Sequence, residues 1–149
     1  MRLCADLAER LPCATVDRQA IEGALQDHFA ADPGEAAAVY LFGSVARGDA
    51  GDASDVDVAV LFRSEPPAGL ASLALPLEGE LERRIGQCVQ LVVLNRAPVD
   101  LVHRVLRDGV LVLDRDPGAR IRFEVQTRNE YFDLLPLLRR YRRFDGRAA

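Results

Sequence analysis

Asp55 and Asp57 stand one residue apart, and ten residues separate them from the dipeptide Gly43-Ser44, all within the segment LFGSVARGDAGDASDVDVAV from Leu41 to Val60. Side chains alternate across a strand, so a strand entered at Asp55 places both carboxylates on one face, close together. Two carboxylates about 4 Å apart repel by roughly 4 kcal/mol at an effective dielectric near 20, and a divalent cation between them turns that repulsion into attraction. A donor set made only of oxygen favours Mg²⁺ or Mn²⁺. Upstream, Gly43 lets the backbone approach a phosphate closely, and Ser44 offers both its amide and its hydroxyl. Arg47 adds a fixed positive charge if Val45–Arg47 open a helical turn. An acid pair holding metal beside a bend holding phosphate is the equipment of phosphoryl or nucleotidyl transfer, in which ions bridge phosphate oxygens and neutralise a departing pyrophosphate. Taken singly, Asp-x-Asp and Gly-Ser are ordinary turn residues. The four together at this spacing arise by chance in such a chain on the order of once in a thousand, which favours the chemical reading.

The elements that must position these residues follow from periodicity. Ala36–Phe42 (AAAVYLF) is expected as a buried strand ending at Gly43, and Asp55–Phe62 (DVDVAVLF) as a second, with a polar, glycine-bearing loop between them. Before them, Val16–Ala31 has Ile21, Leu25 and Phe29 four apart with Asp17 placed to cap, which predicts an amphipathic helix. After them, Leu70–Ile85 returns to helical spacing, with Pro76 starting or kinking part of it. Cys88–Leu94 is predicted as a third strand, Pro98–Arg107 as a short helix and Val110–Leu113 as a fourth strand. From Pro117 the apolar positions Ile121, Val125, Phe132, Leu135 and Leu138 trace a long last helix that Pro136 is expected to bend. The alternation predicts an α/β (α+β) domain: a small mixed sheet flanked by helices, with the Gly-Ser bend and the aspartates meeting at one edge in an open cleft.

Size and charge narrow the function classes. The chain has 149 residues, 49% hydrophobic and 28% charged, which suits one packed domain spanning 1–149 and fits neither a disordered nor a fibrous chain. No apolar run approaches the roughly 20 residues needed to span a bilayer, and the first 17 residues lack a secretory layout, so a cytoplasmic protein without membrane attachment is expected. The three cysteines, Cys4, Cys13 and Cys88, lack metal-knuckle spacing and read as small hydrophobes. Net charge is −4, which argues against direct nucleic-acid binding by bulk electrostatics, but the distribution is uneven. The last eleven residues carry five arginines and one aspartate, leaving −8 on residues 1–138. The tail Leu134–Phe144 therefore reads either as a partner-docking helix or as a final helix with its cations at the favourable end, and Tyr131 and Tyr141 as interface anchors or core. His28 and His103 have no second ligand at metal spacing and read as packing or surface residues.

The segments YLFGSVARG (Tyr40–Gly48) and DVDV, together with NRAPVDL (Asn95–Leu101), RDG (Arg107–Gly109) and EYFD (Glu130–Asp133), resemble the DNA polymerase β-like nucleotidyltransferase superfamily. Within it, the chain resembles the minimal nucleotidyltransferases, the MntA-type antitoxins paired with HEPN toxins. The resemblance implies the nucleotidyltransferase fold, with Asp55 and Asp57 as catalytic metal ligands and Gly43 and Ser44 as nucleotide-binding residues. Arg47 would be a phosphate contact by position. It implies Mg²⁺ (or Mn²⁺) as cofactor, ATP as substrate, and transfer of AMP to a tyrosine of a HEPN toxin partner. One position departs from the family pattern: a third carboxylate is expected on the neighbouring strand, and this chain has Gln90 there. Glutamine carries no charge and cannot serve as a base at neutral pH. Asp49, Asp52 and Glu78 are candidates for the missing oxygen. Two alternatives stay open: an antitoxin that binds nucleotide and neutralises its toxin by binding alone, and an aminoglycoside-type small-molecule nucleotidyltransferase. The acceptor, the number of metal ions, and assembly with itself or with a toxin are also open.

Overall fold

The computed structural model describes residues 17–31, 34–51, 53–65 and 70–145. Asp17 opens α1 (Arg18–Ala31): its carboxylate accepts the Gln19 N–H at 3.0 Å and its carbonyl that of Ile21 at 3.1 Å. Ile21, Leu25 and Phe29 are buried, as their spacing requires. The chain then runs through β1 (Ala36–Phe42), α2 (Gly43–Arg47), β2 (Val56–Phe62), α3 (Leu70–Ile85), β3 (Val89–Val93), a 3₁₀ turn (Leu94–Arg96), α4 (Val99–Asp108), β4 (Val110–Asp114) and α5 (Pro117–Asp145).

The four strands form one mixed sheet in the order β3-β2-β1-β4, with β1 antiparallel to both β2 and β4 and β2 parallel to β3. Central strands covered on both faces must be apolar at every position. β1 meets this demand, being buried from Ala36 through Leu41. Alternation sends Val39, Leu41, Val58 and Val60 to the face covered by α1 and α3, where Leu25 and Leu81 are fully buried. Ala38, Tyr40, Ala59 and Leu61 go to the opposite face, under Val102 and Val105 of α4 and Phe123 of α5. Asp57 belongs to this second set, which places it on the α4/α5 face.

Sheet edges need covering. Along β3, Glu82 accepts the Val89 N–H at 3.1 Å and Glu78 the Leu91 N–H at 2.9 Å, so one helix face caps two successive outward amides. β3 is shorter than its expected span Cys88–Leu94, because Leu94 enters the 3₁₀ turn and Asn95 bonds both the N–H and the carbonyl of Phe62 at 2.9 and 3.0 Å. That amide continues the ladder of β2 without a strand. Both prolines lie inside continuous helices: α3 passes through Pro76, which neither starts nor ends it, and α5 passes through Pro136. α5 starts with Pro117 after Asp116, whose carboxylate accepts the Ala119 N–H at 3.0 Å. Arg120 ties it down, bonding Asp114 and Glu124 at 2.9 Å each, and Glu124 accepts the Tyr40 hydroxyl at 2.8 Å. Burial, then this acceptor carboxylate, holds the Tyr40 phenol above its ordinary pKa, so it stays a donor.

Candidate functional site

The site lies where β1 ends and β2 begins. Antiparallel pairing sets Phe42 opposite Asp57, so the next residue, Gly43, meets the aspartate side chain. A Cβ on Gly43 would lie 2.0 Å from Asp57 Oδ2, and the Gly43 φ of +73° is one that side chains disfavour. Glycine is therefore required twice here, for the turn and for the carboxylate packed against it. The expected helical turn forms as α2, starting at Gly43, two positions earlier than Val45, and closes at Gly48 in the left-handed conformation. Val45 and Ala46 are buried beneath it, which fixes the bend to the sheet.

Asp55 immediately precedes β2, one residue outside the strand expected to contain it. Asp55 and Asp57 are both half-buried, and so are Gly43 and Ser44. Burial, then the Asp55 charge, pushes the Asp57 carboxyl above the ordinary range, while Arg47 pulls it down. Asp55 and Arg47 are thus both near enough for their charges to act on Asp57. The Arg47 guanidinium is shared with Asp49, Nε to Oδ2 at 3.3 Å.

Gln90 is the neighbour of Asp57 across the parallel β2–β3 pair. Its Nε2 donates to Asp55 Oδ2 at 3.0 Å. The structure therefore assigns Gln90 a specific partner, one that residue type alone does not identify; the signal was the parallel register between Asp57 and Gln90. Two of the substitutes for a third carboxylate are corrected. Glu78 is committed to the Leu91 amide on the edge of β3, and Asp49 is paired with Arg47 on the surface. Asp52 lies outside the described residues, as do Cys4 and Cys13. Among the described residues no three His, Cys, Asp or Glu side chains cluster closely enough to hold a metal. Asp55 and Asp57 would hold one hard cation between them, a pair of carboxylates being a common protein contribution to Mg²⁺ binding.

The remaining candidates have packing contacts. His28 is buried edge-on against Phe29, with Glu80 3.8 Å from its Nε2. His103 stacks flat on Tyr131 at 3.7 Å, joining α4 to α5, whereas Tyr141 is 66% exposed and is not core. A hollow of about 200 Å³ lies beside this stack, lined by His103, Leu106, Arg107, Glu124 and Arg128, away from the aspartates. No helix among the described residues is long and apolar enough to cross a membrane.

Residues 24–118 match the family model described as polymerase beta, nucleotidyltransferase. The fold is similar to that of a toxin–antitoxin crystal structure with AMP-PNP, at 24% identity and a TM-score of 0.70, covering 86% of this chain and 98% of that one. It is also similar to a structure of a tri-AMPylated HEPN toxin from Shewanella oneidensis in complex with MNT antitoxin, at 23% identity and a TM-score of 0.66, covering 89% and 100%. A toxin–antitoxin MntA–HepT structure matches at 24% identity and a TM-score of 0.64, covering 88% and 99%. No curated protein matches the sequence. At these identities the structural likeness establishes a common fold.

Proposed function

The chain belongs to the polymerase β nucleotidyltransferase family, and from that premise we propose that it is an antitoxin-type nucleotidyltransferase that moves AMP from ATP to a tyrosine hydroxyl of a HEPN toxin. The observation that carries this reading is the Asp57 carboxylate packed against the glycine that opens α2, with Asp55 beside it and Arg47 within electrostatic reach. Asp55 and Asp57 would hold Mg²⁺, which supplies charge neutralisation on the phosphates when bound. Ser44 and the bend after Gly43 would grip the triphosphate, and Arg47 would exchange Asp49 for a phosphate oxygen. In the transfer, the acceptor hydroxyl oxygen bonds the α-phosphorus, the bond to pyrophosphate breaks, and the hydroxyl proton leaves to water.

A second reading is favoured by one observation. Gln90 donates to Asp55 where the family pattern has a carboxylate, so the site lacks a base and one negative charge. On that reading the chain binds nucleotide and neutralises its toxin by binding. One experiment separates the two: incubate the protein with Mg²⁺, labelled ATP and the HEPN toxin, then weigh the toxin by mass spectrometry. An added AMP on a tyrosine is the expected result. An unmodified toxin that still co-purifies would sink transfer and leave binding, and Gln90→Asp should then restore transfer without changing toxin affinity.

A further inference from the structure

The apolar face of α5 outlasts the body it packs on. At about 100° per residue, Ala119, Phe123 and Thr127 lie along one line of the helix and meet the core. The same line continues through Leu134, Leu137, Leu138 and Tyr141, yet Thr127 is the last residue of α5 to be buried among those whose burial is described. Leu137 is 49% and Tyr141 66% exposed. Tyr131, stacked on His103, makes the last described contact with another element. The residues beyond it form an arm of helix with an uncovered stripe.

The direction of the arm follows from topology. Arg120 bonds Asp114, which lies beside Ala38 early in β1, and Glu124 bonds Tyr40 further along it. α5 thus ascends the sheet in the direction of β1, toward Gly43. It does so on the face that Asp57, Ala59 and Leu61 share, so the arm leaves the body at the end and on the side where the aspartates lie.

We propose that residues 134–142 are a docking helix for the acceptor protein, fitting an apolar groove with an acidic rim and bringing that protein to the aspartate site. Leu134, Leu137, Leu138 and Tyr141 have the i, i+3, i+4, i+7 spacing of helix-in-groove anchors. Arg140 and Arg142 fall roughly 100° to either side of the stripe, and between 134 and 142 there are three arginines and no acid. Among the described residues no hydrogen bond or ion pair engages Arg139, Arg140 or Arg142. This charge selects the occupant: a second copy packing stripe to stripe would oppose like charges, whereas an acidic rim would satisfy them.

The inference rests on the reading of the protein as acting on a HEPN toxin, and its test distinguishes the two. The toxin, purified alone, is titrated with the full-length protein and with two variants, Leu137→Glu/Tyr141→Glu and Arg140→Glu/Arg142→Glu. A thermal shift with Mg²⁺ and ATP, equal to that of the unaltered chain, establishes that each variant is folded. The first variant should weaken toxin binding by about 100-fold or more, as loss of two buried anchors requires. The second should weaken it about tenfold and flatten its salt dependence. Binding within about twofold of the unaltered chain for both would overturn the docking role and leave the proposed function standing. If the unaltered chain neither binds nor modifies the toxin, the functional reading fails and the docking role with it. A dimer of the unaltered chain that the first variant dissolves, or binding to anionic phosphatidylserine vesicles that it abolishes while toxin binding persists, would reassign the arm to self-association or to a lipid surface.

Discussion

At the residue scale the site is held in a state that is unfavourable until something cationic enters it. Asp57 has a raised pKa, so the folded chain binds its proton more tightly than the unfolded one does. The associated stability is full below the unfolded pKa and is lost as pH rises through the folded value. At neutral pH without metal, Asp57 therefore weighs against the fold. Asp57→Asn should raise the metal-free Tm at pH 7 by no more than about 4 °C, because a half-exposed carboxylate is screened and about 1 kcal/mol is the ceiling. The gain should shrink in a melt below pH 4, and the variant should lose its stabilisation by Mg²⁺ and ATP. Gly43→Ala should act in the opposite sense. A methyl 2.0 Å from Asp57 Oδ2, at positive φ, must displace the carboxylate or the bend. A loss of about 2 kcal/mol or more in denaturant unfolding is expected, with no measurable nucleotide binding. The types of Gly43, Ser44, Asp55 and Asp57 were informative because their chemistry is local. The Gln90–Asp55 bond was not legible, since it depends on which residue of β3 lies beside Asp57, a matter of register.

At the element scale, continuous apolar runs marked β1 and β2 to within a residue, since strands buried on both faces leave no other composition. The limits of β3 were less legible because Asn95 replaces a strand residue with side-chain hydrogen bonds, and nothing in its spacing announces that. Pro76 lies within α3 and neither starts nor ends it, a placement that residue type alone does not give. The role of Glu78 and Glu82 was also hidden, although their spacing of four puts both on one helix face. Each accepts a backbone amide of the edge strand, so Glu78→Ala and Glu82→Ala should each cost about 1 kcal/mol in denaturant unfolding. The double variant should in addition self-associate on light scattering, because two outward amides of β3 are then free to pair with another strand.

At the scale of the whole molecule, α5 divides into a half that belongs to the core and a half that does not, and the boundary falls just after Tyr131. The first half is held by Arg120 bonding Asp114 and Glu124, by the Tyr40 hydroxyl and by Phe123 in the core. Beyond Phe132 no described residue is buried, and Pro136 removes the N–H that would have bonded the Phe132 carbonyl. Stability and nucleotide binding should therefore be independent of the arm. Ending the chain after Phe132 should leave Tm within about 2 °C, because it removes no fully buried residue among those described, only the half-buried Leu135 and Leu138 and their exposed neighbours. Mg²⁺ with ATP at 100 times its dissociation constant should still stabilise the truncated protein by about 2.7 kcal/mol, as linkage requires when the site is intact. By contrast Arg120→Ala strips the cation from Asp114 and Glu124, leaving Glu124 only the Tyr40 hydroxyl, and should lower Tm by several times as much, although it touches neither the site nor the arm. A truncated chain that melts far below the full-length one would mean that the arm folds back on the body, and the division of α5 would have to be abandoned.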